Sequence, residues 1–90
     1  MDFEWDKEKV QENERKHEVS FFEATEVFAD ELSSSVADPD SSEGEYRYLI
    51  FGQTLSGRTL VVSYTERDDR IRIISARLMT RRERRAYEQR

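Results

Sequence analysis

The sequence predicts an α+β fold: a small antiparallel sheet with helices packed on one face, spanning residues 1–90 as one domain. Three observations lead there. The helix signals and strand signals fall in separate blocks, which separates α+β from alternating α/β chains. Three β-rich runs between Tyr46 and Ala76 are parted only by short polar stretches, as in an antiparallel meander. Ninety residues suffice for one modest core and leave no room for a second.

Taken in order, the elements read β-α-α-(β)-β-β-β-α. Asp2 to Trp5 is a short strand, and Asp6 caps a run of helix formers from Lys7 to Lys16. Val10 is the only aliphatic residue of that helix, so most of its surface faces water. Ser20-Phe21-Phe22-Glu23 has the capping-box pattern of a second helix, with Val19 and Ala24 spaced as a hydrophobic staple. Phe21, Ala24 and Phe28 then recur at helical spacing beside Val27. From Glu31 to Glu45 the chain is rich in Ser, Asp and Glu and holds the only proline, Pro39, with a short strand at Ser34–Ala37. The three main strands are Tyr46–Phe51, Arg58–Thr65 and Arg70–Ala76, joined by hairpin loops at Gln53–Gly57 and Glu66–Asp69. Thr80-Arg81-Arg82-Glu83 is a second capping box, opening a helix to about Gln89.

Composition narrows the function classes. With no cysteine, neither a disulfide framework nor a thiolate metal site can form. No apolar run approaches the ~20 residues of a membrane span, and the acidic start lacks the apolar run of a secretory signal. A cytoplasmic protein that does not engage membranes is expected. The net charge of −5 conceals an asymmetry: residues 1–45 hold 15 acids and 4 bases, residues 46–90 hold 5 acids and 11 bases, all of them Arg. An Arg-rich half can form a local anion-binding face, or the two halves can simply neutralise each other.

His17 is the only histidine, placed at a helix end where the dipole favours a cation. It is also the one side chain suited to acid–base work near neutrality. Arg70, Arg72 and Arg77 lie on or just after the last strand. A regular strand sets Arg70 and Arg72 on one face with Ile74 and Ala76, and Arg77 on the other. Such arginines can grip phosphate through paired hydrogen bonds, or form a solvated face with salt bridges to the acidic half. Arg81, Arg82, Arg84 and Arg85 wrap more than half of the last helix, so they cannot all touch one ligand. Tyr46, Tyr48 and Tyr64 could stack bases, although alternating strand aromatics usually pack against each other. No phosphate loop, zinc spacing or nucleophile elbow is present, and no turn-plus-recognition-helix motif for DNA. Neither a metal nor any other cofactor is implied.

One resemblance spans nearly the whole chain. Phe3-Glu4-Trp5-Asp6, Lys9, Asn13, Lys16-His17, Ser20-Phe21 and Glu23-Ala24 resemble the N-terminal signature of BrnT toxins. Val27-Phe28, Asp30, Ser42, Glu43–Glu45, Arg47, Gly57-Arg58 and Tyr64-Thr65-Glu66 continue it, followed by Ile71-Arg72-Ile73-Ile74-Ser75-Ala76-Arg77, Arg82-Glu83 and Tyr87. Two positions depart: Glu18 stands where members often have Gly, so the first helix is expected to end differently, and Ser41 stands where they often have His. The resemblance implies a RelE-like fold and a metal-independent endoribonuclease toxin. It implies a BrnA-like ribbon–helix–helix antitoxin as partner, in a hetero-oligomer that reaches DNA only through the antitoxin. By the same resemblance, His17, Lys16, Arg72 and Arg77 are the catalytic candidates; Arg58, which it includes, and Arg70 and Arg81, from the Arg-rich half, are the RNA-binding ones. Glu66 could orient an arginine or simply begin a turn. The alternative is a catalytically inactive module that only holds the antitoxin and modulates its DNA binding.

Overall fold

The computed structural model describes residues 1–40 and 46–89. Its elements are β1 (Asp2–Glu4), α1 (Lys7–His17), α2 (Phe21–Glu26), a 3₁₀ turn (Val27–Ala29), β2 (Ser34–Ala37), β3 (Tyr48–Gln53), β4 (Thr59–Arg67), β5 (Arg70–Leu78) and α3 (Arg81–Glu88). The expected order is present. The five strands form one sheet in the order β1-β5-β4-β3-β2, with β2 through β5 antiparallel and β1 parallel to β5.

Local chemistry explains where the elements begin and turn. Asp6, Ser20 and Thr80 each accept a hydrogen bond from a backbone N–H in the first turn of their helix. Only Thr80 and Glu83 complete a reciprocal capping box, because Glu23 turns its carboxylate to Arg58 instead. Asp68 and Asp69 both take positive φ, so a two-residue turn joins β4 to β5; β5 begins at Arg70 as expected, and β4 runs two residues closer to the turn, to Arg67. Gly57, at φ 92°, closes the β3–β4 hairpin.

The strand alternation builds two apolar layers. Ile50, Leu60, Val62, Tyr64, Ile73 and Ala76 face α1 and α2, where Val19, Phe21, Ala24 and Val27 are almost fully buried. Each such Val, Leu or Phe contributes about 1.5–3 kcal/mol of transfer free energy. Val61 points to the other side, where Met79 and Tyr87 cover it together with Leu49 and Phe51. The α+β class stands, but the expectation that the helices share one face is corrected for α3. Its reason is that Leu49, Phe51 and Val61 leave the second face apolar enough to need a cover.

The outer edge of β5 is closed in an unusual way. β1 pairs only with Arg70–Arg72, so the strand beyond needs another partner. Asn13 of α1 supplies it: the Ala76 N–H donates to Asn13 Oδ1 (3.1 Å), and Asn13 Nδ2 donates to the carbonyls of Ala76 (2.9 Å) and Val19 (3.0 Å). A buried carboxamide thus stands in for a neighbouring strand's peptide group.

Candidate active site and its flanking arginines

Helix α1 ends at Glu18, which adopts the left-handed conformation (φ 56°, ψ 35°) and donates its N–H to the Glu14 carbonyl. The altered helix end expected from a non-glycine residue does not occur; Glu18 takes the conformation a glycine would take. Arg58 braces this end. Its Nη2 donates to the Glu18 carbonyl (3.0 Å), and its Nε lies 3.0 Å from Glu23 Oε2. These contacts place Lys16 and His17 in the last turn of α1, beside the edge of β5.

There they line an open pocket of about 180 Å³ with Lys9, Glu12, Asn13, Ile74 and Ser75. Lys16 pairs with Glu12 at 2.9 Å, and its hydrogen bond holds the Glu12 carboxyl below the usual carboxylate range. Lys9 and Ser75 entered only through the family resemblance and without a role, since nothing in a linear pattern brings them to His17.

A β-bulge sets the geometry of β5. Ser63 pairs with Ser75 and Tyr64 with Ile73, which leaves Ile74 as an extra residue. The alternation therefore shifts by one along β5. Arg70, Arg72, Ser75 and Arg77 all fall on the face of Val61, Ser63 and Thr65, correcting the regular-strand expectation that put Arg77 on the opposite face. Ser75 sits between Arg72 and Arg77 on the strand and also lines the His17 pocket, although neither arginine lines it.

The sheet arginines are engaged. Arg72 Nη1 donates to Glu4 Oε2 at 2.9 Å, with Arg70 at 4.0 Å from the other oxygen of the same carboxylate. Arg77 makes two parallel hydrogen bonds to Glu83, at 2.8 and 3.0 Å. That pairing, with the backbone N–H of Thr80, holds the Glu83 carboxyl down at about 2, and it raises Arg77 above its ordinary value.

The family model of the BrnT ribonuclease toxin of type II toxin–antitoxin systems matches residues 5–83. The chain belongs to the BrnT family. A solved structure of similar fold is that of the Brucella abortus ribonuclease toxin BrnT, with a TM-score of 0.66 at 20% identity, covering 90% of this chain and 99% of that one. No curated protein matches the sequence. Membership makes this a ribonuclease-toxin-family chain, of a class that works with an antitoxin.

The remaining candidates of this BrnT family member are dispersed. Arg81 lies on α3, where Arg81, Arg82 and Arg85 line an open depression and make no ion pair with any described residue. Glu66 is exposed and pairs with no described arginine. Tyr48 and Tyr64 stack on each other at 5.4 Å, and Tyr64 donates to Ser35 Oγ, so only Tyr46 stands exposed. Ser41, Ser42 and Glu43–Glu45 lie outside the described residues. Among the described residues no three His, Asp or Glu side chains gather as a metal site, and no helix is long and apolar enough to cross a membrane.

Asp30, which the sequence named only within the family resemblance and without a role, is a structural hub. Its carboxylate accepts from the Gln53 N–H (2.8 Å), the Leu32 N–H (3.0 Å) and the Tyr87 hydroxyl, joining the 3₁₀ turn to β3 and α3. Gly52 lies against it, where a Cβ would come within 2.7 Å of the Val27 side chain.

Proposed function

We propose that the chain is the RNA-cleaving toxin of its pair, a metal-independent endoribonuclease acting at the outer edge of β5. The observation that carries this reading is the pocket joining Lys9, Lys16 and His17 to Ser75, between Arg72 and Arg77 along the strand. Cleavage by the ribose 2′-hydroxyl needs in-line alignment, a proton carrier and charge stabilisation at the phosphate oxygens. His17 carries the proton. Lys9 and Lys16 hold the phosphate in a positive field. Arg72 and Arg77 stabilise the developing charge once the phosphate competes with Glu4 and Glu83 for them. Arg70 and Arg81 guide the RNA backbone, whereas Arg58 serves chiefly to hold the end of α1. A BrnA-like ribbon–helix–helix antitoxin neutralises the toxin, and DNA is reached only through it.

The second reading, an inactive module that holds the antitoxin, is favoured by one observation: both central sheet arginines already carry a carboxylate partner. Incubating the purified chain with a labelled RNA oligonucleotide in chelator separates the two. The nuclease reading expects cleavage that chelator leaves intact, with roughly hundredfold slower cleavage for His17→Ala and for Arg77→Ala. Intact RNA alongside normal antitoxin binding would favour the inactive module, and activity restored only by a divalent ion would overturn metal independence.

A further inference from the structure

A second concavity, of about 300 Å³, lies away from the β5 edge, between α3 and the β2–β3 strands. Val36, Phe51, Ala86 and Tyr87 give it an apolar lining, with Ser34, Arg82 and Glu83 beside them; the Glu83 carboxylate is already held by Arg77, and Val36 is 49% exposed. Arg82 and Ala86 also line the adjoining depression with Arg81 and Arg85. An apolar groove thus shares its wall with three arginines that have no carboxylate among the described residues, while Arg58, Arg72, Arg77 and Arg84 each have one. Arg81 and Arg82 occupy the first turn of α3, where the helix dipole disfavours cations, so stability does not account for them. RNA, which meets Arg81 in the nuclease reading, would use the arginines but has no need of the apolar floor, so an antitoxin seated here would compete with RNA for Arg81. An acidic protein segment with apolar residues on one side uses both.

We propose that this groove docks an acidic, amphipathic segment of the antitoxin, with its apolar side chains over Val36 and Phe51 and its carboxylates on Arg81, Arg82 and Arg85. The proposal rests on the reading of the chain as one half of a toxin–antitoxin pair. The test is titration calorimetry of the full chain against the antitoxin encoded with it. Wild type is compared with Val36→Glu, Arg82→Glu and the exposed-charge control Arg15→Glu, each checked for folding by thermal melting. Val36→Glu and Arg82→Glu are expected to bind about tenfold or more weakly, with the Arg82→Glu loss shrinking in salt and Arg15→Glu staying near wild type. Both groove variants binding like wild type would overturn the docking site alone. Wild type that binds no antitoxin would overturn the pair itself. Arg82→Glu that keeps antitoxin affinity but loses RNA cleavage would assign the rim to RNA instead.

Discussion

Strand β5 and helix α3 both carry arginines, and the two sets are held in opposite ways. Arg72 and Arg77 extend from a strand fixed on both edges, and each is tied to a carboxylate less than 3 Å away. Arg81, Arg82 and Arg85 extend from a two-turn helix into water, without an ion-pair partner among the described residues. Side chains of the first kind are preorganised: they cost little to hold in place, but a ligand must displace a carboxylate to reach them. Those of the second kind offer full charge at once and pay rotamer entropy when a ligand arrives. The first arrangement suits a site that must place charge accurately, as catalysis does. The second suits long-range capture of an anionic partner, where position matters less than field.

This contrast depends on β5 being rigid, and the largest expected effect tests that. Asn13→Ala removes three hydrogen bonds and leaves the Ala76 N–H, the Ala76 carbonyl and the Val19 carbonyl without their partner in a buried setting. A loss on the order of 3 kcal/mol follows. For a domain of this size it corresponds to a fall in melting temperature of roughly 15 °C. Arg85→Ala, on the exposed face of α3, should change stability by less than about 0.5 kcal/mol. If Asn13→Ala melts within a few degrees of wild type, the β5 edge is held by something else and the rigidity argument fails.

Asn13 also shows which parts of the molecule were legible in the sequence. The helix starts were, because Asp6, Ser20 and Thr80 act on N–H groups two or three residues away. The meander was, because its alternation and turns are local. Asn13 was not, since its partner Ala76 lies 63 residues on; the only hint was a helix whose sole aliphatic residue, Val10, lies one turn before it. The bulge at Ile74 was illegible for the same reason: an extra residue in β5 exists only relative to the register of β4. Its consequence reached the candidate site, moving Arg77 onto the face of Arg72. The family resemblance included Lys9, Asn13 and Ser75 without saying what each does, and the pocket is where their proximity becomes visible.

A middle-sized effect lies at the link between the two regions, where Glu83 of α3 holds Arg77 of β5. The folded-state value of Glu83, about 2, lies below the ordinary glutamate value near 4.3, so the ionised form is favoured by folding. The stability it confers is therefore fully present above about pH 5 and lost as pH falls toward the folded value. Both side chains are partly exposed, Arg77 to 40% and Glu83 to 25%, and solvent screening reduces the contribution to on the order of 1–2 kcal/mol. Glu83→Gln retains a residue able to cap Thr80 while removing the charge. Denaturation of wild type and variant across pH 2–7 should show a constant gap near neutrality that closes on the acid side. A gap independent of pH would mean that capping, and not the Arg77 pair, is what Glu83 contributes.

The smallest effect concerns α3 alone and has the opposite sign. Arg81 is the first residue of the helix, so its guanidinium faces the positive end of the dipole with no carboxylate among the described residues to offset it. Arg81→Glu should then stabilise the fold by about 0.3–1 kcal/mol, the range for a favourable charge in a first turn. Arg85→Glu makes the same charge change in the last turn, where the dipole favours a cation, and should be neutral or slightly destabilising. The comparison cancels any general benefit or penalty of lowering the net charge further below −5. Thermal melting at low salt resolves it, because the dipole term fades as salt rises. A gain for Arg81→Glu means that a charge costing stability stands at the mouth of the α3 groove, as expected for a side chain serving a partner. A loss would show that Arg81 is held as firmly as Arg77, and the contrast between strand and helix would collapse.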